Sequence, residues 1–124
     1  MVHPFRSAIE ARDLDAAVAL LREDVVFNSP VVFTPYEGRE AMREILAAVI
    51  DVFEDFRYTR EIGADGDRDH ALMFKARVGE KQLEGCDFIR LDEDGAIEEF
   101  TVMLRPMQAV LAVAEAMKAR LAAG

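Results

Sequence analysis

The stretch Gln82–Arg105, QLEGCDFIRLDEDGAIEEFTVMLR, decides the fold. Two runs rich in Leu, Ile, Phe, Thr and Val flank Asp92-Glu93-Asp94-Gly95, and a glycine that can take φ > 0 suits a short hairpin loop. Side chains alternate along a strand, so Leu83, Asp87, Ile89 and Leu91 share one face, and Gln82, Glu84, Cys86, Phe88 and Arg90 share the other. One acid, Asp87, thereby falls in an apolar row. It is the sharpest chemical clue in the chain, although a single acid does not by itself name a reaction.

Upstream, alternation predicts a strand over Phe56–Ile62, a turn at GADGD, and a strand over His70–Val78 that reverses at Gly79-Glu80 into the hairpin. Short links between four successive strands require an antiparallel meander, because parallel pairing needs long crossovers. Residues 4–22 read as helix in two pieces, with Pro4 in a first turn and Asp13 or Asp15 capping the second. A short strand, Asp24–Ser29, ends at Pro30, and the apolar loop PVVFTPYEG after it is expected to fold inward. Met42, Ile45, Leu46, Val49, Ile50 and Phe53 follow helical spacing over Arg39–Phe53. Pro106 opens a last helix whose apolar stripe is read as Met107, Val110, Leu111, Ala114, Met117 and Leu121.

The elements combine as an α+β domain spanning residues 1–124, with a cone-shaped, curved antiparallel sheet wrapped around the N-terminal helices. At 124 residues, folding removes roughly two-thirds of the unfolded surface from water, enough for a core and a small cavity. The outer sheet face, with Cys86, Phe88, Thr101 and Met103, is too apolar for full exposure, which predicts a homodimer through it.

Composition narrows the partners. A net charge of −9 repels phosphate backbones and anionic lipid, so neither nucleic acid nor membrane is an expected partner. The start MVHPFRSAIEARD lacks the pattern of a secretory leader, and one cysteine cannot form an internal disulfide, so a cytoplasmic location is expected. Cys86 reads as a packed hydrophobe. His3 and His70 fit no metal spacing, and neither metal nor organic cofactor is expected.

The helical start with its D-L-D-A break, the segment EDVVFNSPVVFTPYEGREAM and the segment CDFIRLDEDGAIEEFTVM together resemble the superfamily of nuclear transport factor 2, SnoaL-like polyketide cyclases and ketosteroid isomerase. The resemblance covers nearly the whole chain and implies a pocket without specifying a reaction. In ketosteroid isomerase a protonated acid donates to the developing oxyanion, and the resemblance places that acid at Asp87. Its general base would fall at Ser29 and its phenolic donor at Phe5. Ser29 lacks the pKa to hold a proton taken from carbon and Phe5 has no O–H, so steroid isomerisation by that route is disfavoured.

Asp87 either serves a ligand oxygen or satisfies itself against an internal arginine or backbone N–H. Arg60, on the face assigned to Phe56, Tyr58 and Ile62, is the obvious partner if it points inward. His70 is read as a solvated histidine at a strand start, with an acid-base dyad to Asp87 as the functional alternative. Phe5, Phe27, Ser29, Phe33, Tyr36, Phe53, Tyr58, Phe74, Phe100, Val102 and Leu104 are the expected pocket lining. The function expected is binding, or acid-base isomerisation, cyclisation or dehydration, of a small hydrophobic compound with a carbonyl or hydroxyl. A non-catalytic binding protein and a structural dimerisation module are the alternatives.

Overall fold

A computed structural model describes residues 2–123. The elements are α1 (Pro4–Glu10), α2 (Leu14–Ala19), β1 (Leu21–Asn28), β2 (Tyr36–Glu37), α3 (Arg39–Val52), β3 (Glu54–Ile62), β4 (Asp69–Val78), β5 (Lys81–Leu91), β6 (Ile97–Arg105) and α4 (Met107–Ala122). Both short helices start on side-chain caps: His3 Nδ1 accepts from Phe5 N–H at 3.1 Å, and Asp13 Oδ1 accepts from Ala16 N–H at 3.0 Å. The two-piece reading of the helical start therefore holds, but it ends at Ala19, and Leu21 belongs to the first strand.

Six strands form one sheet in the order β2-β1-β6-β5-β4-β3. The meander β3 to β6 is antiparallel throughout, and the β5–β6 turn is built as the residues indicate, with Gly95 at φ +88° and Asp92 Oδ1 accepting from the Asp94 and Ala96 N–H groups. The sheet is mixed rather than purely antiparallel, because β1 lies parallel to β6, with Phe27 beside Phe100. The long excursion through α3 and the meander supplies the crossover that parallel pairing needs.

Two irregularities bend β3. Between Glu54 and Arg57 it advances three residues while β4 advances two, and between Tyr58 and Arg60 it advances two while β4 advances one. Each offset is a bulge, and Asp55, at φ +53°, sits in the first. The second bulge reverses the face assignment: Tyr58 points into the core, whereas Arg60 and Ile62 are exposed. The shared face expected for Tyr58, Arg60 and Ile62 is thus corrected by one extra residue.

The inner face of the sheet packs on α1, α3 and α4 around Phe5, Leu21, Met42, Leu72, Phe74, Ile89 and Phe100. Arg39 fastens α3 to β1 by donating from Nε and Nη2 to the Leu21 carbonyl at 3.1 and 2.7 Å. Helix α4 turns a different side inward from the stripe expected: Ala109 and Val113 are buried and Met117 packs on the core, while Met107 and Leu111 face out. Small residues on the inward side leave the interior only partly filled. No helix among the described residues is long and apolar enough to cross a membrane.

Gly85 is the close-packing point of the inner face. A Cβ there would lie 2.4 Å from Phe74 Cζ, 2.5 Å from Leu104 Cδ2 and 2.9 Å from the Met103 carbonyl oxygen. Two neighbouring strands crowd it from both sides, so relaxation by one flexible side chain is insufficient. Gly85→Ala is expected to destabilise the fold by about 1–3 kcal/mol, read as a lowered urea midpoint; an unchanged midpoint would show that the strands can part at no cost.

Candidate functional site

The unfilled interior is a cavity of about 510 Å³ between the inner sheet face, α1, α3 and α4. Its deep walls are aromatic. Phe5 lies 4.9 Å from Phe100, and Phe53, Phe56, Tyr58 and Phe74 form a cluster with ring centroids 4.8–6.3 Å apart. Phe27, Val102 and Leu104 continue the lining, and Ser29 and Tyr36 reach it from the end of β1 and from β2.

Phe33 does not line the cavity. It is fully exposed and borders a shallower groove on the outside of β6 with Pro35, Thr101 and Met103. The loop after Pro30 therefore edges the cavity with Val31 and Val32 without closing over it, and all three apolar side chains remain exposed. Ser29 sets that path, because its Oγ accepts from the Val31 and Val32 N–H groups at 2.9 and 3.2 Å, a turn that sends the following side chains outward.

Asp87 sits in the cavity wall as expected, only 6% exposed. Its partner is Tyr58 rather than Arg60: the phenol donates to Asp87 Oδ2 at 3.2 Å. Strand β4 lies between the two, and the reach across it is possible because Phe74, opposite Tyr58, lies over the side-chain-free Gly85 two residues before Asp87. Phe56 meets the Tyr58 ring edge-on at 4.9 Å, and the Arg6 guanidinium lies 5.8 Å from its centroid. Phe5, at the position the resemblance gives to a phenol, is a wall residue, and the site's phenol comes from β3 instead.

Burial pushes the Asp87 carboxyl up from 3.8 to about 7, opposed by the Tyr58 hydrogen bond, which favours the anion. Burial and the neighbouring carboxylate push the Tyr58 phenol well above its ordinary value. The pair accordingly stays as a phenol and a carboxyl group that exchanges its proton near neutrality. It can donate two hydrogen bonds to a ligand oxygen when Asp87 is protonated, or accept one from a hydroxyl when it is not.

His70 is neither solvated nor paired with Asp87. It faces inward on the row of Leu72 and Phe74, donates from Nε2 to the Asp67 carbonyl at 2.8 Å, and meets the His3 ring edge-on at 4.8 Å. Its Nδ1 and the nearby Glu61 Oε1 are buried without a hydrogen-bond partner, while Glu61 Oε2 accepts from the His3 N–H at 3.0 Å. Burial lowers the His3 pKa, helped by His70 and opposed by Glu61. The cluster fastens the start of α1 to the end of β3. Among the described residues no group of three His, Cys, Asp or Glu side chains converges to hold a metal ion. Cys86 is half-buried on the outer face, with its thiol pushed up chiefly by burial.

The raised Asp87 pKa has a cost in stability. Below about pH 4 both folded and unfolded chains carry the proton; between about 4 and 7 only the unfolded chain loses it, so stability falls as pH rises, by about 4 kcal/mol in all, and levels off above 7. Asp87→Asn removes that slope. Urea unfolding is expected to show the variant gaining on the wild type by about that amount from about pH 4 to about pH 8; parallel pH profiles would place the carboxyl in solvent.

The chain matches the SnoaL-like domain family over residues 2–100. Among solved structures it is similar to a steroid delta-isomerase from Pseudomonas aeruginosa, with 45% identity and a TM-score of 0.89 over 94% of this chain and 85% of that one. A bacterial protein of cystatin-like fold from Silicibacter pomeroyi is 38% identical, with a TM-score of 0.88 over 94% and 82%. An epoxide hydrolase/cyclase-like enzyme of pyran-ring formation, 18% identical with a TM-score of 0.67 over 85% and 87%, shares the fold alone. No curated protein matches the chain. With four-fifths of its length inside the family's domain and two neighbours well above 30% identity, the chain belongs to the SnoaL-like family.

Proposed function

We propose that the cavity takes up a small apolar molecule carrying one carbonyl or hydroxyl oxygen, which docks on Asp87 and Tyr58. The observation that carries this reading is one carboxyl–phenol pair, buried in a cavity whose other deep walls are aromatic or aliphatic. Such a pair costs stability, and titratable groups perturbed by burial in a cleft cluster at functional sites. A cavity of about 510 Å³ also argues against a purely structural dimerisation module, whose cone would be filled by its own side chains.

Chemistry on such a ligand is of the acid-base kind. Protonated Asp87 and the Tyr58 hydroxyl would together stabilise negative charge gathering on a carbonyl oxygen, and ionised Asp87 would take a proton from a hydroxyl. Isomerisation, cyclisation and dehydration lie within that repertoire. The hydroxyl of Ser29 is engaged by the turn after β1 and supplies no base. With no second carboxylate and no imidazole among the described lining residues, the chain also suits the role of a binder that does not turn its ligand over.

A matched pair of probes tests the docking. 2-Acetylnaphthalene and 2-isopropenylnaphthalene have nearly the same shape and differ in oxygen against methylene; wild-type protein is expected to prefer the ketone about tenfold, and Asp87→Leu to erase the preference. Equal affinities in the wild type would sink the reading. The steroid delta-isomerase among the similar structures supports a second reading, which the same protein can be asked: a β,γ-unsaturated ketosteroid turned over well above background, and no longer by Asp87→Asn, would make Asp87 a working acid-base or oxyanion-binding group of an isomerase.

Phe88 and Met103 stay exposed on the outer face, and we carry that face as a homodimer contact. Sedimentation at micromolar concentration is expected to give a dimer that Met103→Glu dissociates; a wild-type monomer would remove the contact.

A further inference from the structure

The exposed residues of the cavity lining mark where it opens. Val31, Val32 and Tyr36 stand on one lip, and Lys118 and Leu121, from the last turns of α4, on the other. Tyr58 and Asp87, by contrast, are buried on the inner face of the sheet. Among the described lining residues only Asp87 and Lys118 carry charge, so the cavity has one polar pair within and one cation at its mouth.

Lys118 makes no ion pair or side-chain hydrogen bond among the described residues, whereas Arg120 on the same turn is held by Asp51 at 2.8 Å. A lysine on an exposed helix face is ordinarily just solvated. Here the methylene stem borders an apolar opening and the ammonium is free to reach back over it. In a chain of net charge −9, which repels anions at large, that position gives an anionic group a local partner at the mouth only. An acid group cannot enter deeply, because the aromatic walls do not solvate it and Asp87 would oppose it.

We infer that Lys118 selects ligands with an anionic group, so that the occupant is an amphiphile: an apolar body whose oxygen end sits on Tyr58 and Asp87 and whose carboxylate, sulfonate or phosphate end lies at the mouth beside α4. This rests on the cavity reading proposed above and adds the charge and orientation of the ligand to it. Lys118 acts as a specificity residue and takes no part in proton transfer.

Two fluorescent probes separate the two ideas, since 1-anilinonaphthalene-8-sulfonate is N-phenyl-1-naphthylamine with an added sulfonate. Wild type is expected to bind both. Lys118→Gln should weaken the sulfonate probe about fivefold and Lys118→Glu further, with the neutral probe changed less than about twofold, and Lys118→Arg should restore sulfonate binding. Added salt should erase the wild-type advantage of the sulfonate and leave the neutral probe alone. If the sulfonate affinity is the same in wild type, Lys118→Gln and Lys118→Glu while the neutral probe still binds, the role of Lys118 is wrong and the cavity reading stands. If neither probe binds the wild type, the cavity reading fails and takes Lys118 with it.

Discussion

The desolvated contact between Asp87 and Tyr58 is the constraint on which the site depends. A carboxyl taken out of water is held in place by one phenol, and the rest of the wall contributes shape and dryness. Dryness raises the carboxyl to about 7, where proton gain and loss are both accessible. The same carboxyl in solvent would be an ordinary anion, and the same wall without it would be an ordinary core. What distinguishes the deep part of this cavity is that one carboxyl–phenol pair is admitted and packing is left incomplete around it.

Several backbone features converge on that contact. The second bulge of β3 ends the row in which Tyr58 faces inward, Gly85 leaves the space that Phe74 occupies, and the regular β4–β5 register sets Asp87 beside Leu72. None of the three touches a ligand oxygen, yet each sets where the phenol and the carboxyl lie. The packing of α4 through Ala109 and Val113, instead of through its bulkier Met107 and Leu111, then keeps the space in front of them open. The site is therefore a property of strand irregularity and of small side chains as much as of its two polar residues.

What could be read from the chain divides along physical lines. The hairpin turn at Gly95, the inward row of Leu83, Asp87 and Ile89, and the helix over Arg39–Val52 followed from periodicity and local turn chemistry, which act over a few residues. The partner of Asp87 did not, because an inserted residue at a bulge is set by how two strands pair and leaves no mark on either alone; strict alternation offers Arg60 as the partner, and only the register excludes it. His70 reads as a surface residue from the sequence because its cover comes from His3, distant in the chain. Apolarity alone sends Phe33 inward, yet the turn tied by Ser29 points it to solvent. Lys118 carries no distinguishing sequence signal, and only the placement of α4 beside the opening gives it meaning.

The same distortions that position Tyr58 have an effect at the border of the sheet. β3 is the terminal strand, kinked between Glu54 and Arg57 and again between Tyr58 and Arg60, while the opposite border is closed by the two-residue β2. A margin bent twice on one side and a stub on the other offer a foreign strand no straight row of amide groups to zip onto. Runaway fibril-like stacking is thereby discouraged at both rims.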